Sequence, residues 1–222
     1  MFVDVWPISL FPDDIPVPEA ESVLSSEERQ RADRFRFPKH AIRYRQCHAA
    51  MRHVLGRYLN VSPGKVELTH GSRGKPRLAG RSNLRFNLSH SGDLALLAVS
   101  AGLDVGVDVE AIRHDLPVDG LARFFTVAER ERLLAMRSGE KERTFFRWWT
   151  RKEAVLKADG SGLSGGLDRL DISNSPPDLV RFPDDGEQRW RVQDLEVEAG
   201  YAAAVAAPDG EWQVRWRRMN EA

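Results

Sequence analysis

The sequence predicts an α+β protein of two similar lobes, each a long helix packed on an antiparallel sheet. Three observations carry this. Two long helices are expected, over residues 38–59 and 141–159, and apolar strands follow each of them. The late run Gly200-Tyr-Ala-Ala-Ala-Val-Ala-Ala207 echoes Gly92-Asp-Leu-Ala-Leu-Leu-Ala-Val99 in pattern. The turns between the strands are rich in Gly, Pro and Asp, which punctuate short antiparallel segments. An inexact repeat of this kind implies a duplicated fold with its boundary near residue 104, giving lobes of 1–104 and 105–222.

In the first lobe, Phe2–Leu10 is apolar enough for a strand, and Pro7 within it implies an edge position or a bulge. A Pro- and Asp-rich loop is expected after it, up to residue 24. Ser25-Ser-Glu-Glu28 has the form of a capping box and opens a short helix to about Arg34. Phe37-Pro38 starts the long helix, with proline tolerated in its first turn. Tyr44, Cys47, Met51, Val54, Leu55 and Tyr58 recur at the three-and-four spacing of a core-facing stripe, and Asn60 is its expected stop. Val66–Thr69 reads as a strand leading into the turn Gly71-Ser-Arg-Gly-Lys-Pro76. Leu84–Leu88 and Leu94–Ser100 read as a hairpin around the loop Ser89-His-Ser-Gly-Asp93.

In the second lobe, Leu103, Val105, Val107 and Val109 alternate with Asp104, Gly106, Asp108 and Glu110, the period of a strand. Asp108 and Glu110 therefore share one face. Thr126-Val-Ala-Glu129 is a second capping box, starting a helix to about Arg137 that Ser138-Gly139 breaks. No Gly or Pro interrupts Lys141 to Asp159, and Gly160 supplies the left-handed stop. Trp149, Glu153 and Lys157, four apart, point the same way on that helix. Leu167–Ile172, Trp190–Leu195, Tyr201–Ala207 and Trp212–Arg217 are strand-like, with Pro- and Asp-rich turns between.

Composition narrows the function classes. A formal net charge of zero and 41% hydrophobic residues describe an ordinary globular chain. The richest apolar runs are strand-sized, so no membrane span is expected, and no basic stretch followed by an apolar run marks a signal peptide. The lone cysteine, Cys47, fits a reducing cytoplasm. Residues 1–24 carry five acids and no Lys or Arg, whereas residues 25–58 carry nine Lys or Arg against three acids. Such a basic block in a neutral chain suggests a local anion site rather than nucleic-acid affinity.

The chemistry points to phosphorus. Asp108, Glu110 and Glu153 form a carboxylate set, and the six histidines are scattered with no zinc pattern such as His-Glu-x-x-His. Oxygen ligands of this kind suit Mg²⁺, with Mn²⁺ as a substitute. Lys157, one turn beyond Glu153, would neutralise a leaving phosphate, and His90, flanked by Ser89 and Ser91, is a candidate anion contact. No Gly-x-Ser-x-Gly elbow and no P-loop is present. The residues alone lead to metal-dependent transfer or hydrolysis of a phosphorylated substrate.

Val105-Gly-Val-Asp-Val-Glu110 and Trp149-Thr-Arg-Lys-Glu-Ala-Val-Leu-Lys157 closely resemble the two signature motifs of the 4′-phosphopantetheinyl transferases. Gly74-Lys-Pro76, Phe86-Asn-Leu-Ser-His-Ser-Gly92 and Phe124-Phe-Thr126 match further family stretches in order. The whole chain looks like the two-lobed, monomeric type that activates nonribosomal peptide and polyketide synthases. The resemblance implies that fold, and transfer of the phosphopantetheine arm of coenzyme A to a serine of an apo acyl or peptidyl carrier protein, releasing adenosine 3′,5′-bisphosphate. It implies that Asp108, Glu110 and Glu153 hold Mg²⁺, that Glu153 is the candidate base and that Lys157 contacts the pyrophosphate. Ser89 and His90 would bind coenzyme A phosphates, Lys75 would lie by the nucleotide, and Arg31 and Arg43 would reach the 3′-phosphate. Glu28 stands where related enzymes can carry a basic residue, with Arg29, Arg34 or Arg36 as candidate substitutes. The carrier, a small acidic helical partner, is expected near Phe124, Phe125 and the helix after them. A dedicated fatty-acid-synthase holo-carrier synthase and a noncatalytic coenzyme A-binding module are the competing readings.

Overall fold

The computed structural model describes residues 1–11, 17–71, 73–162, 166–172, 179–180 and 188–219. Its elements are β1 (Phe2–Ser9), α1 (Val17–Val23), α2 (Ser26–Asp33), α3 (Pro38–Leu59), β2 (Leu68–His70), β3 (Pro76–Leu78), β4 (Leu84–Ser91), β5 (Leu94–Ala101) and β6 (Gly106–Ala111). They continue with α4 (Val118–Leu121), α5 (Val127–Leu134), α6 (Glu140–Asp159), β7 (Leu179–Val180), β8 (Trp190–Asp194), β9 (Tyr201–Pro208) and β10 (Gln213–Trp216). Three helical starts and stops follow the sequence closely. Both capping boxes form, with Ser25 and Glu28 closing the start of α2 and Thr126 and Glu129 that of α5. Asn60 ends α3 at φ 54°, a left-handed position that asparagine tolerates.

Two four-stranded sheets organise the chain, in the orders β10-β1-β5-β4 and β6-β9-β8-β7. All pairings are antiparallel except β10, which runs parallel to β1. Strand alternation then distributes the core. Trp6, Ile8, Ala95, Leu97 and Val99 meet the α3 stripe of Cys47, Met51, Val54 and Leu55. Val3, Val5, Leu96 and Ala98 meet Val107, Val109, Ala203 and Val205 of the other sheet. Ala204 and Ala206 meet Ala154, Val155 and Ala158 of α6. The order of layers is α3, first sheet, second sheet, α6: a long helix on a sheet, twice, joined through a shared apolar layer.

Several expectations are corrected. β1 is an internal strand, but its pairing with β10 stops at Val5↔Trp216, so Pro7 has a ladder only on the β5 side. Residues 17–23 form α1, not loop. The strand expected at Val66–Thr69 begins two residues later, after a 3₁₀ turn over Pro63–Lys65. Ser89, His90 and Ser91 belong to β4, and the hairpin turns at Gly92-Asp93 alone, with Gly92 at φ 59°. Leu167–Ile172 is not a strand: Leu167–Arg169 is a 3₁₀ turn, and the carbonyls of Leu167 and Leu170 accept from Lys152 instead of a neighbouring strand. The Pro- and Asp-rich turns expected around 12–16, 173–178 and 181–187 lie outside the described residues.

β10 is held by charge as well as by its ladder. Arg215 donates Nε to Asp4 Oδ1 at 2.6 Å and Nη2 to Oδ2 at 3.0 Å, and the Tyr58 hydroxyl also donates to Asp4. Burial pushes the Asp4 carboxyl up, but these donors outweigh it and hold the group below its ordinary value.

Candidate active site

The site begins with a missing side chain. A Cβ on Gly106 would lie 2.0 Å from Ala154 O and 2.4 Å from Ala158 N, so β6 rests directly on the backbone of α6. Two residues on, on the same face, Asp108 meets α6 at Lys157. Lys157 Nζ is 2.6 Å from Asp108 Oδ1 and 2.9 Å from Ser89 Oγ, and Ser89 Oγ donates to Asp108 Oδ1 at 2.8 Å. Ser91 repeats the contact one period along, donating to Glu110 Oε2 at 2.7 Å. β4 and β6 are edge strands of different sheets, and side chains join them where no ladder does. Asn87 Oδ1 accepts from Val107 N at 2.8 Å, and Ser91 Oγ accepts from Ala111 N at 3.1 Å, satisfying edge N–H groups of β6.

The electrostatics show a deficit of positive charge. Burial, then the charges of Asp108 and Glu110, push the Glu153 carboxyl up to about 7, against the opposing pull of Lys157. Glu110 is raised too, by burial and by Asp108, although Ser91, Lys157 and Arg113 act the other way. Asp108 Oδ2 is buried with no hydrogen-bond partner. Three carboxylates beside one ammonium, with an orphaned buried oxygen among them, are a donor set that a hard divalent cation fits. Among the described residues, no three such side chains are already arranged around one ligand position, since Lys157 and the two serines hold Asp108 and Glu110.

On the far side of β4 a cleft of about 1330 Å³ opens between α2, the Tyr44–Arg52 stretch of α3 and the β2–β3 hairpin. Arg31 and His90 line it, with Arg34, Tyr44 and His48. Partial burial lowers the His90 pKa, and Lys157, Arg43 and His40 add to that. Arg43 itself pairs with Asp93 in the β4–β5 turn. Lys75 turns to the second half, donating to Val105 O at 3.0 Å and Ala158 O at 3.1 Å, and burial lowers it to about 8. Glu28 lines the cleft, but its carboxylate accepts from Arg52 Nε at 2.6 Å and caps α2, so its charge is matched within the fold. The structure thus joins Ser89, Asp108 and Lys157 directly, with Glu110 and Glu153 within their electrostatic reach. Arg31 and His90 open to the cleft, and Arg43 and Lys75 are engaged elsewhere.

Both halves of the chain match known protein families. Residues 104–206 match the 4′-phosphopantetheinyl transferase superfamily, and residues 12–102 match the N-terminal family of 4′-phosphopantetheinyl transferases. The chain is 38% identical to the 4′-phosphopantetheinyl transferase HetI of Nostoc sp., over 96% of this chain and 91% of that one. It belongs to the 4′-phosphopantetheinyl transferase family. Psf-1 of Bacillus pumilus, a transferase of the same name, is 32% identical over 85% of this chain and 81% of its own. The human L-aminoadipate-semialdehyde dehydrogenase-phosphopantetheinyl transferase is 31% identical over 84% and 68%. This transferase is therefore an enzyme of a family that moves phosphopantetheine from coenzyme A to carrier proteins.

Two features of the transferase escaped sequence reasoning. The first is Asn87 and Ser91, which alternate with Ser89 along β4; placing 89–93 in a loop hid that period. The second is Lys152, whose side chain and that of Glu129 are 0% exposed. Lys152 Nζ donates to Glu129 Oε2 at 2.6 Å and to Leu167 O at 2.8 Å, while Glu129 Oε1 accepts from Ile172 N at 2.8 Å. One buried pair thus binds α6, α5 and residues 167–172. The signal was Glu129 itself, a capping-box residue with one more oxygen than the cap needs. Replacing Lys152 by methionine leaves a buried carboxylate without its cation and is expected to cost about 3 kcal/mol, read as a lower denaturant midpoint at unchanged slope. An unchanged midpoint would show that the pair contributes nothing to stability.

Proposed function

We propose that the protein transfers 4′-phosphopantetheine from coenzyme A to a serine of apo acyl or peptidyl carrier proteins in a Mg²⁺-dependent reaction, serving secondary-metabolite synthases. The observation that carries this reading is the buried, unpartnered Asp108 Oδ2 beside Glu110, Glu153 and Lys157. Asp108, Glu110 and Glu153 would hold Mg²⁺, or Mn²⁺ in its place. Bound there, the ion would polarise the pyrophosphate and offset its negative charge.

The chain's own residues would do the rest. Glu153 takes the proton of the carrier serine hydroxyl. The serine oxygen bonds to the phosphorus that carries the pantetheine arm as the bond to adenosine 3′,5′-bisphosphate breaks. Lys157 balances charge on the departing bisphosphate, and Ser89 and His90 orient the phosphates. Arg31 and Arg43 would reach the 3′-phosphate, Arg43 by exchanging Asp93 for it. Lys75 would border the nucleotide from its place at the junction of the halves. Residues 1–104 would thus hold the donor and residues 105–222 the ion and the base. With both parts of the site in one chain, we expect a monomer, acting in the cytoplasm.

The test is incubation with coenzyme A, Mg²⁺ and a panel of apo carriers, read by mass spectrometry. A gain of one phosphopantetheine on peptidyl carriers supports the reading. A preference for the fatty-acid carrier favours a dedicated holo-carrier synthase. Coenzyme A binding with every carrier left unmodified would leave a noncatalytic binding module.

A further inference from the structure

The corner between α2 and α3 brings exposed aromatic and basic residues together. Residues 33–40, Asp-Arg-Phe-Arg-Phe-Pro-Lys-His, are all exposed. Two phenylalanines stand among them, Phe35 at 39% and Phe37 at 52% exposure. Both are held in place. Phe35 packs on the Tyr44 and His40 rings at 5.5 and 6.4 Å, and Phe37 meets the edge of His40 at 6.0 Å. Pro38 at the start of α3 fixes the backbone between them. A pair of exposed rings that lose little freedom on contact is suited to receive a partner.

The charge of the corner names the kind of partner. Arg34, Arg36 and Lys39 flank the two phenylalanines in the chain, and the Arg36 guanidinium lies 5.4 Å from the centre of the Phe37 ring. The corner's one acid, Asp33, is already paired with Arg45 at 2.5 Å. The corner therefore offers uncompensated positive charge around an apolar centre. It is continuous with the cleft, because Phe35 and Arg34 are lining residues of it together with His90. Arg36, Phe37 and Lys39 are not among those lining residues, which removes Arg36 from the candidate 3′-phosphate contacts and leaves the charges of Arg36 and Lys39 outside the site of the donor.

We propose that this corner of the first half docks an acidic helical face of the carrier protein, in addition to any contact made by the second half. The inference rests on the carrier reading above and assigns that partner a place. In the second half, the expected docking residue Phe125 is core, at 4% exposure, whereas Phe124 and, on the helix after it, Val127 and Leu134 are exposed.

The test uses the full chain and an apo peptidyl carrier domain, with binding measured by calorimetry without coenzyme A and transfer measured separately. The double variant Arg36→Glu, Lys39→Glu is expected to bind the carrier about tenfold more weakly. Phe37→Ser is expected to weaken binding by about tenfold through loss of the apolar centre. The KM for coenzyme A stays unchanged in both, because none of the three side chains lines the cleft. Added salt weakens carrier binding by the unaltered chain more than by the double variant. Equal carrier affinity in variants and parent, no carrier binding by the parent, or a parallel rise in the coenzyme A KM each overturns the proposal. Carrier binding that the variants lose, in a protein that transfers nothing, leaves the docking surface standing and overturns the catalytic reading instead.

Discussion

Gly106→Ala is expected to remove most of the folded protein and all of the transfer activity. The added methyl would sit 2.0 Å from Ala154 O, 2.4 Å from Ala158 N and 2.9 Å from the Lys157 carbonyl carbon, all of them helix backbone. No rotamer relieves a clash of Cβ with backbone, so β6 must lift from α6. That separation strips Lys157 from Asp108 and disturbs the apolar layer that Val107 and Val109 share with the first sheet. A cost of at least about 4 kcal/mol, in the exceptional class for one methyl, is expected. It would appear as a lowered denaturant midpoint and as loss of transfer in whatever folded fraction remains. A variant with parent stability would show that strand and helix are not in contact at this point, and with it the placement of Asp108 would fall.

That glycine shows where the sequence was legible and where it was not. Its motif could be read as a strand because Val105, Val107 and Val109 alternate, and the pairing of Asp108 with Glu110 on one face follows from the same period. The close approach of α6 could not be read, because a glycine in a strand pattern fits a bulge, a bend or a crossing equally well. Helix limits were legible where a local bond sets them, as in the two capping boxes and the Asn60 stop. Contacts between distant residues were not. The partners that Lys75 finds at Val105 and Ala158, and the pairing of β10 with β1, depend on how the halves meet, and no local pattern reports that. The same holds for Glu28. As a sequence feature it looked like a charge of the wrong sign beside an anion site, whereas Arg52, about four turns into α3, neutralises it.

Glu153→Gln is expected to separate activity from stability in opposite directions. Glu153 is 8% exposed, and its carboxyl is pushed up from 4.5 to about 7 by burial and by the charges of Asp108 and Glu110. A carboxyl with a raised folded pKa binds its proton more tightly in the fold than in the unfolded chain. The fold of the metal-free protein therefore loses stability as pH rises from about 4.5 to about 7, and above that it carries the whole cost of the ionised group. That cost is on the order of 3 kcal/mol. Glutamine carries no charge, so the metal-free variant should melt higher than the parent at pH near 8 and show no advantage at pH near 4. Adding Mg²⁺ should raise the parent's melting temperature more than the variant's, because the ion stabilises only a fold that can bind it. Transfer to an apo carrier should fall by about a thousandfold at saturating Mg²⁺, since an amide cannot take the serine proton. Asp108→Ala should lose transfer for a different reason, the loss of the oxygen that stands buried without a partner. Near-normal transfer by either variant would remove these carboxylates from the reaction. A glutamine variant no more stable than the parent at pH near 8 would mean that the Glu153 carboxyl is neither dehydrated by burial nor crowded by Asp108 and Glu110, and the case for a cation between them would go with that.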